Sequence, residues 1–177
     1  YLPILYLYYE LQYRLKLILN DIVIHNIDIR SEDKVLKAIR GSDLVIHLAA
    51  INGTENFYSK PDLVLDVGIR GALSVVNACC KSGITDLIVA SSAEVYQTPS
   101  IIPTPEDIAL TLPNSQNPRY SYGGGKILTE LVGINYGKKF FKKLIIFRPH
   151  NVYGKNMGNE HVIPEFISRL SKFKSRK

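Results

Sequence analysis

The stretch DLIVASSAEVY, residues 86–96, decides the fold class. It opens with a short run of aliphatic and β-branched residues, which favours a buried strand, and this run stops at two serines. Similar runs occur at 21–27 (DIVIHNI), 43–48 (DLVIHL) and 143–147 (KLIIF). Short apolar strands that alternate with longer segments predict a parallel sheet with helices on both faces.

The segments between these strands have helical character. Capping residues and apolar periodicity predict helices at about 31–41, 61–83 and 120–139, and a last amphipathic segment at 161–173. The proline-rich connection between residues 97 and 118 is long, and long loops in compact domains are often functional. In open parallel sheets the ligand lies at the carboxyl ends of the strands, so we expect the functional residues there.

Composition and charge narrow the class of protein. The chain has 177 residues, of which 46% are hydrophobic and 21% charged, a balance typical of soluble globular domains. The net charge of +6 owes much to the end of the chain, which we interpret as a solvated segment rather than a nucleic-acid patch. The basic residues concerned are Lys172, Lys174, Arg176 and Lys177. The two cysteines, Cys79 and Cys80, are adjacent, which favours a reducing compartment; the four histidines are scattered, so we predict no metal site.

The first twenty positions differ in character from the rest of the chain. Residues 1–20 are rich in Leu, Ile and Tyr, but Glu10, Arg14 and Lys16 would be costly in a membrane. The segment also lacks the pattern of a signal peptide. We interpret it as a divergent or non-homologous N-terminal segment and expect no membrane partner.

Tyr122 and Lys126 form the pair with the clearest chemistry. They stand at i and i+4 of a predicted helix, so their side chains share a face. A tyrosine has an ordinary pKa of about 10. A neighbouring ammonium lowers this pKa, and the phenolate can then act as a base toward a sugar hydroxyl. The spacing alone is weak evidence, because it occurs by chance in many helices.

Four motifs strengthen that interpretation because of their order and their places at strand ends. They are HLAA (47–50), SSAEVY (91–96), YSYGGGK (120–126) and RPHNVYG (148–154). Together they resemble the signatures of extended short-chain dehydrogenases/reductases that act on nucleotide sugars, and the resemblance covers about residues 22–167. It implies a Rossmann-like, doubly wound parallel sheet.

The resemblance implies catalytic roles residue by residue. Tyr122 resembles the acid/base, and Lys126 resembles the residue that lowers its pKa and holds the nicotinamide ribose. Ser92 resembles the hydroxyl that hydrogen-bonds the reacting sugar oxygen. The substrate-binding candidates are Ser92, Ala93, Glu94 and Asn151.

The resemblance also implies NAD as the cofactor, which we prefer to NADP on the family trend. Asp28 and Ile29 resemble the adenine-side pair, and the small residues after the second predicted strand resemble the segment that backs the cofactor. The cofactor-binding candidates are Asp28, Ile29, Leu48, Ala49, Ala50, Ser91, Tyr122, Lys126 and Pro149.

The sequence departs from the family at its start and its end. No glycine precedes Gly41, so the glycine-rich loop that would seat the pyrophosphate is missing. We therefore divide the chain into the N-terminal segment 1–20, a cofactor-binding domain at 21–154 and the start of a substrate-binding region at 155–177. We expect a fold incomplete at its N-terminus, without most of the C-terminal domain, and weak binding of NAD.

Two further departures bear on the reaction. Gly68 stands where the family commonly has an asparagine that helps organise the proton relay. Ala93 stands where sugar 4,6-dehydratases often carry an acidic residue, and an alanine cannot donate a proton. We therefore favour an epimerase similar to UDP-glucose 4-epimerases. A 4,6-dehydratase or related NAD-dependent reductase, and a non-catalytic truncated remnant, stay open as alternatives.

The family resemblance and the composition also set expectations for binding partners and cellular location. We expect a nucleotide-sugar substrate, a homodimer in intact relatives and a cytoplasmic enzyme. We expect no nucleic-acid partner.

Overall fold

A computed structural model describes residues 21–154 and 162–174 of the chain. The predicted segment 1–20 and the first residues of the predicted region 155–177 lie outside this description. The elements in chain order are α1 (Glu32–Ala38), β1 (Leu44–His47), α2 (Thr54–Ser59), α3 (Pro61–Ser82), β2 (Asp86–Ala90), α4 (Ser121–Gly137), β3 (Lys143–Phe147) and α5 (Val162–Lys174).

The three strands form one parallel sheet in the order β1-β2-β3. In this register Val45 lies opposite Leu87, and Leu87 lies opposite Leu144. Each pair of neighbouring strands is joined through helices, as parallel pairing requires. The predicted Rossmann-like α/β fold with a parallel sheet is thereby confirmed.

The strand predicted at 21–27 is not formed among the described residues. The residues from 22 to 28 have no strand pairing in the described chain, and β1 is hydrogen-bonded only to β2. Ile27 still packs against the core, whereas Val23 is largely exposed. A β-branched sequence fits a pleated surface but becomes a strand only when a neighbour supplies its hydrogen bonds, and none of the described residues does so on that side.

The core lies between one face of the sheet and the helices. Leu87 and Val89 of β2 are almost completely buried, together with Val35 of α1, Val76 of α3 and partly buried Val132 of α4. The opposite face of the sheet carries exposed apolar side chains in the described structure: Leu44, Ile46, Ile145 and Phe147. The described helices that contribute to the core therefore cover a single face, and the helices predicted on the other face stay a prediction.

Helix α3 is the central helix of this core. Pro61 stands at its start, and Gly83 ends it in the left-handed conformation with φ 75°, which favours glycine. Its 22 residues would suffice in length and composition to cross a membrane. Its packing against α1 and α4 is instead that of a core helix, and Ala78 and Cys79 are fully buried.

Helix α2 was not expected from the sequence. It is a short turn of helix at Thr54–Ser59 that follows Gly53, whose φ of 105° is accessible mainly to glycine. Only Phe57 of this helix is buried. Helix α2 thereby brings an aromatic ring next to the predicted catalytic tyrosine.

Candidate active site

The ends of β2 and β3 build one edge of the site. Beyond the strands themselves, the Ser91 amide donates to the Phe147 carbonyl over 2.8 Å, and the Ala93 amide donates to the Pro149 carbonyl over 3.0 Å. These bonds extend the ladder past the serines. The backbone of Ser92 is therefore fixed by hydrogen bonds at the residue before it and at the residue after it.

Ser92 caps a short 3-10 turn at Ala93–Val95. Its hydroxyl oxygen accepts the Glu94 amide over 3.2 Å, and the same side chain lies close enough to Tyr122 to lower the pKa of that phenol. The structure thus brings together two of the three predicted catalytic residues, from the end of β2 and the first turn of α4.

Lys126 lies one turn further along α4 and is only 6% exposed. Its ammonium donates to the Ala90 carbonyl over 2.6 Å and lies 5.7 Å from the centre of the Tyr122 ring. Burial lowers the pKa of Lys126. The residue thus joins α4 to the last residue of β2.

The acidity of Tyr122 differs from the expectation. Burial raises the pKa of Tyr122, and the carboxylate of Glu94 acts in the same direction, while the hydrogen bond with Ser92 opposes both. The predicted lowering by Lys126 is absent, because the ammonium is directed at the Ala90 carbonyl rather than at the phenol oxygen. Tyr122 therefore holds its proton at neutral pH in this arrangement.

One face of Tyr122 is covered by an aromatic side chain that the sequence did not single out. The rings of Phe57 and Tyr122 stack with 5.0 Å between their centres, and the Arg119 guanidinium lies 5.2 Å from the centre of the Phe57 ring. Arg119 also pairs with Glu94 over 2.8 Å. The side chain of Glu94, predicted to bind substrate, thus has a protein partner.

Two further residues of the site were not assigned a role from the sequence. Glu130 of α4 is 4% exposed and receives both the Arg148 guanidinium and the Ser91 hydroxyl. Ser91, predicted to contact the cofactor, thus directs its hydroxyl at Glu130. Glu130 follows Lys126 by four residues and therefore lies on the same helix face. This spacing could have indicated from the sequence that Glu130 lies near the site.

The cofactor side of the site carries several of the predicted residues. Asp28 accepts hydrogen bonds from Arg30, which lower the pKa of the carboxyl to about 2. Arg30 also reaches Asp66 over 2.8 Å, and Ile29 packs closely against Gly71 of α3. The adenine-side pair is therefore fixed to α3.

The residues that follow β1 show the small side chains expected behind a cofactor. Leu48 and Ala49 are exposed, and Ala50 lines a cavity of about 10 Å³ together with Tyr122 and Lys126. That volume is about enough for one water molecule. Gly68 lines the same cavity, and a Cβ added there would meet nothing within 4 Å. The predicted cofactor segment and catalytic pair are thus neighbours.

A larger cavity of about 620 Å³ adjoins the site on the side of Ala93 and Arg148. Tyr122 and Lys126 do not line this larger cavity; they line the smaller one. Asn151, predicted to bind substrate, is exposed after β3. Among the described residues no group of acidic, histidine or cysteine side chains has the arrangement of a metal site.

A parallel sheet with a serine after one strand, and with a tyrosine and a lysine on the helix that packs against that strand end, defines a dehydrogenase-like site on a Rossmann-like fold. Residues 10–176 match the NAD dependent epimerase/dehydratase family. The chain belongs to that family, whose members depend on NAD.

Named relatives agree with the family. The chain is 29% identical over 134 residues to dTDP-D-glucose 4,6-dehydratase of Dictyostelium discoideum, covering 72% of this chain and 31% of the relative. It is 30% identical over 110 residues to UDP-glucose 4-epimerase 4 of rice (Oryza sativa subsp. japonica), covering 60% and 28%. The chain thus spans roughly a third of the length of these relatives, which are enzymes of two different activities.

A solved structure supports the fold. A double mutant of the dTDP-glucose 4,6-dehydratase DesIV from Streptomyces venezuelae, crystallised with NAD, superposes with a TM-score of 0.72 at 23% identity. The match covers 82% of this chain and 44% of that one. The comparison shows a common Rossmann-like architecture.

Proposed function

We propose that this chain provides the catalytic part of an NAD-dependent nucleotide-sugar epimerase similar to UDP-glucose 4-epimerases. The observation that carries the proposal is the convergence of three side chains at the carboxyl edge of the sheet: Ser92 after β2, and Tyr122 and Lys126 from α4. Ala50 and the adjoining small residues would back the cofactor, and Asp28 and Ile29 would lie on its adenine side. Membership of the family supports this assignment.

The proposed reaction is a reversible oxidation at C4 of the sugar. Bound NAD would supply the acceptor and later the donor of the hydride. After Tyr122 has released its own phenolic proton to solvent, the phenolate takes the proton of the C4 hydroxyl as the C4–H bond breaks and the C4 carbonyl forms. Ser92 holds the reacting oxygen by a hydrogen bond. After the 4-keto sugar turns over, hydride returns to its other face, and Tyr122 returns the proton to the oxygen.

A dehydratase is the second candidate, favoured by Glu94 beside the serine and by the identity to the slime-mould enzyme. Against it stands Ala93, which cannot protonate a departing C6 hydroxyl. The Glu94 carboxylate already pairs with Arg119 over 2.8 Å, so it is engaged within the protein. We therefore rank the epimerase first.

For the intact protein we also propose a homodimer that acts in the cytoplasm. The free thiols Cys79 and Cys80 support a reducing compartment.

Product analysis tests the proposal. UDP-glucose and dTDP-glucose are each incubated with the protein and NAD, and the products are identified by NMR. Conversion of UDP-glucose to its C4 epimer supports the epimerase, whereas a 4-keto-6-deoxy sugar would establish the dehydratase. No product from either sugar would favour the non-catalytic alternative.

A further inference from the structure

Glu130 continues a row of functional side chains along α4. Tyr122, Lys126 and Glu130 stand at i, i+4 and i+8 and therefore lie on one helix face. Lys126 and Glu130 are both buried. A buried charge is costly unless it is paired and hydrogen-bonded, so the partners of Glu130 indicate what holds it there.

Arg148, directly after β3, neutralises this carboxylate. Its Nε donates to Oε1 of Glu130 over 2.8 Å and its Nη2 donates to Oε2 over 2.7 Å, which is a bidentate pair. Burial acts to raise the pKa of Glu130, but the hydrogen bonds from Arg148 and Ser91 outweigh it and leave that pKa below its usual value. The carboxylate is therefore charged and fixed in orientation.

The second partner of Glu130, Ser91, connects the ion pair to the catalytic serine. The hydroxyl of Ser91 donates to Oε1 of Glu130, and Ser91 directly precedes Ser92. On the other side of Ser91, the Ala90 carbonyl accepts from Lys126. Helix α4 is thus hydrogen-bonded to two consecutive residues at the end of β2, Ala90 and Ser91. The first turn of the same helix places Tyr122 near Ser92.

Arg148 extends the same connection to the long loop. Its Nη1 donates to the Tyr96 hydroxyl over 2.9 Å and to the Glu106 carbonyl over 2.8 Å, and its guanidinium lies 4.9 Å from the centre of the Tyr96 ring. The ion pair therefore joins four parts of the molecule around Ser92: the end of β2, the end of β3, α4 and the loop.

We propose that Glu130 and Arg148 are a positioning pair that sets the Ser92 hydroxyl against the Tyr122 phenol by holding Ser91. In this role the pair acts through its neighbours and contacts neither the substrate nor the cofactor. The consequence for turnover rests on the proposed function, whereas the effect on the Ser92–Tyr122 hydrogen bond does not.

The first test measures the hydrogen bond without turnover. 3-Fluorotyrosine is placed at position 122, where the fluorine makes the phenol more acidic and reports its titration by ¹⁹F NMR. Because Ser92 lowers the pKa of Tyr122, Ser92→Ala should move the titration to higher pH. Glu130→Gln should move it in the same direction, and in the Ser92→Ala background it should cause no further shift.

A matched control separates positioning from a general loss of charge. Glu165→Gln removes a carboxylate from the exposed pair with Arg169 on α5 and should leave the titration unchanged. Arg148→Lys keeps the charge but loses the bidentate geometry, and it should shift the titration less than Glu130→Gln. Melting curves show that each variant is folded, and Arg148→Lys replaces Glu130→Gln if the latter does not fold.

The second test measures turnover of the nucleotide sugar. A misplacement of about 1 Å can cost about a hundredfold in rate, so Glu130→Gln should lower kcat by about that factor and change KM much less. An unchanged titration in a folded variant, or a shift that adds to that of Ser92→Ala, would overturn the positioning role. If the titrations behave as expected while the unsubstituted protein converts no nucleotide sugar, the proposed function fails and the positioning role stands.

Discussion

At the scale of single residues, the proton on Tyr122 is governed by its neighbours on three sides. Phe57 covers the ring and removes water from it, and Glu94 adds a nearby negative charge. Ser92 acts in the opposite direction and lowers the pKa of Tyr122, which favours the phenolate. The tyrosine thus depends on the serine for its acidity as well as for its alignment with the sugar oxygen.

The first residue-scale prediction concerns the hydroxyl of Tyr122. Tyr122→Phe keeps the ring that stacks on Phe57, so the melting temperature should change little. Turnover of the nucleotide sugar should fall by about a hundredfold to ten-thousandfold, the usual contribution of general acid–base catalysis. Ser92→Ala should cost less, since Ser92 does not ionise. Near-normal turnover in folded Tyr122→Phe would remove the acid/base assignment.

A second residue-scale prediction concerns His47 at the end of β1, which is buried. Burial lowers the pKa of His47 to about 4, and the nearby charge of Lys126 acts in the same direction. The folded state therefore favours the neutral imidazole. Its contribution to stability is complete above the ordinary pKa of about 6.5 and is lost as pH falls from there through about 4.

The measurement is the free energy of unfolding by urea as a function of pH. The shift in the pKa of His47 corresponds to about 3 kcal/mol between pH 6.5 and 4, and His47→Gln should remove that part of the acid destabilisation. His25→Gln, at an exposed histidine, is the matched control and should keep the full pH dependence. Equal slopes for the two variants would contradict the prediction.

At the scale of elements, helix α4 has three consecutive glycines between its catalytic residues. A Cβ added at Gly123 would lie 2.5 Å from Nε2 of Gln97 and 3.0 Å from the Glu94 carbonyl oxygen. A Cβ added at Gly125 would lie 3.9 Å from Leu65, which is an ordinary contact. Gly123 thus allows α4 to approach the turn after Ser92, whereas Gly125 has room for a methyl group.

This difference gives opposite predictions for the same substitution. Gly125→Ala should raise the free energy of unfolding by up to about 1 kcal/mol through helix propensity. Gly123→Ala should lower it by about 1–3 kcal/mol, because the added atom overpacks against a backbone carbonyl. Chemical denaturation of both variants measures the two free energies of unfolding. Equal stability of the two variants would show that the turn after Ser92 shifts to accommodate the added methyl group without loss of stability.

The elements also explain how far the sequence could be interpreted. Strands β2 and β3 were predicted at their observed bounds because each is a short apolar run that ends sharply. The structure places Tyr122 of α4 near Ser92 at the end of β2, while the catalytic roles of both residues stay predictions. Helix α2 was not predicted because its residues 54–59 have no apolar periodicity. The contact of Phe57 with Tyr122 was therefore not predicted either. The spacing from Lys126 could have placed Glu130 on the same face of α4, but its partner Arg148 lies on another element, and no local pattern reveals that pairing.

At the scale of the whole molecule, the described sheet is covered on one face only. Leu44 and Ile46 of β1 and Phe147 of β3 present apolar surface on the other face. The chain also spans 44% of the DesIV structure, with which it shares the fold. The contacts of the candidate site come from β2, β3, α4 and the adjoining loops, all of which lie in the described part of the chain.

The last prediction concerns binding of NAD by the 177-residue chain. Helix N-termini with glycine-rich turns bind pyrophosphate through backbone amides, and the sequence has no glycine before Gly41. Ala49 and Ala50 still offer a close approach at the end of β1. We therefore expect weak binding in a calorimetric titration, which Ala50→Leu should abolish and Ala109→Leu, in an exposed loop position, should leave unchanged. A submicromolar Kd would show that another segment replaces the phosphate contacts, and equal binding by the two variants would show that the cofactor does not lie against the end of β1.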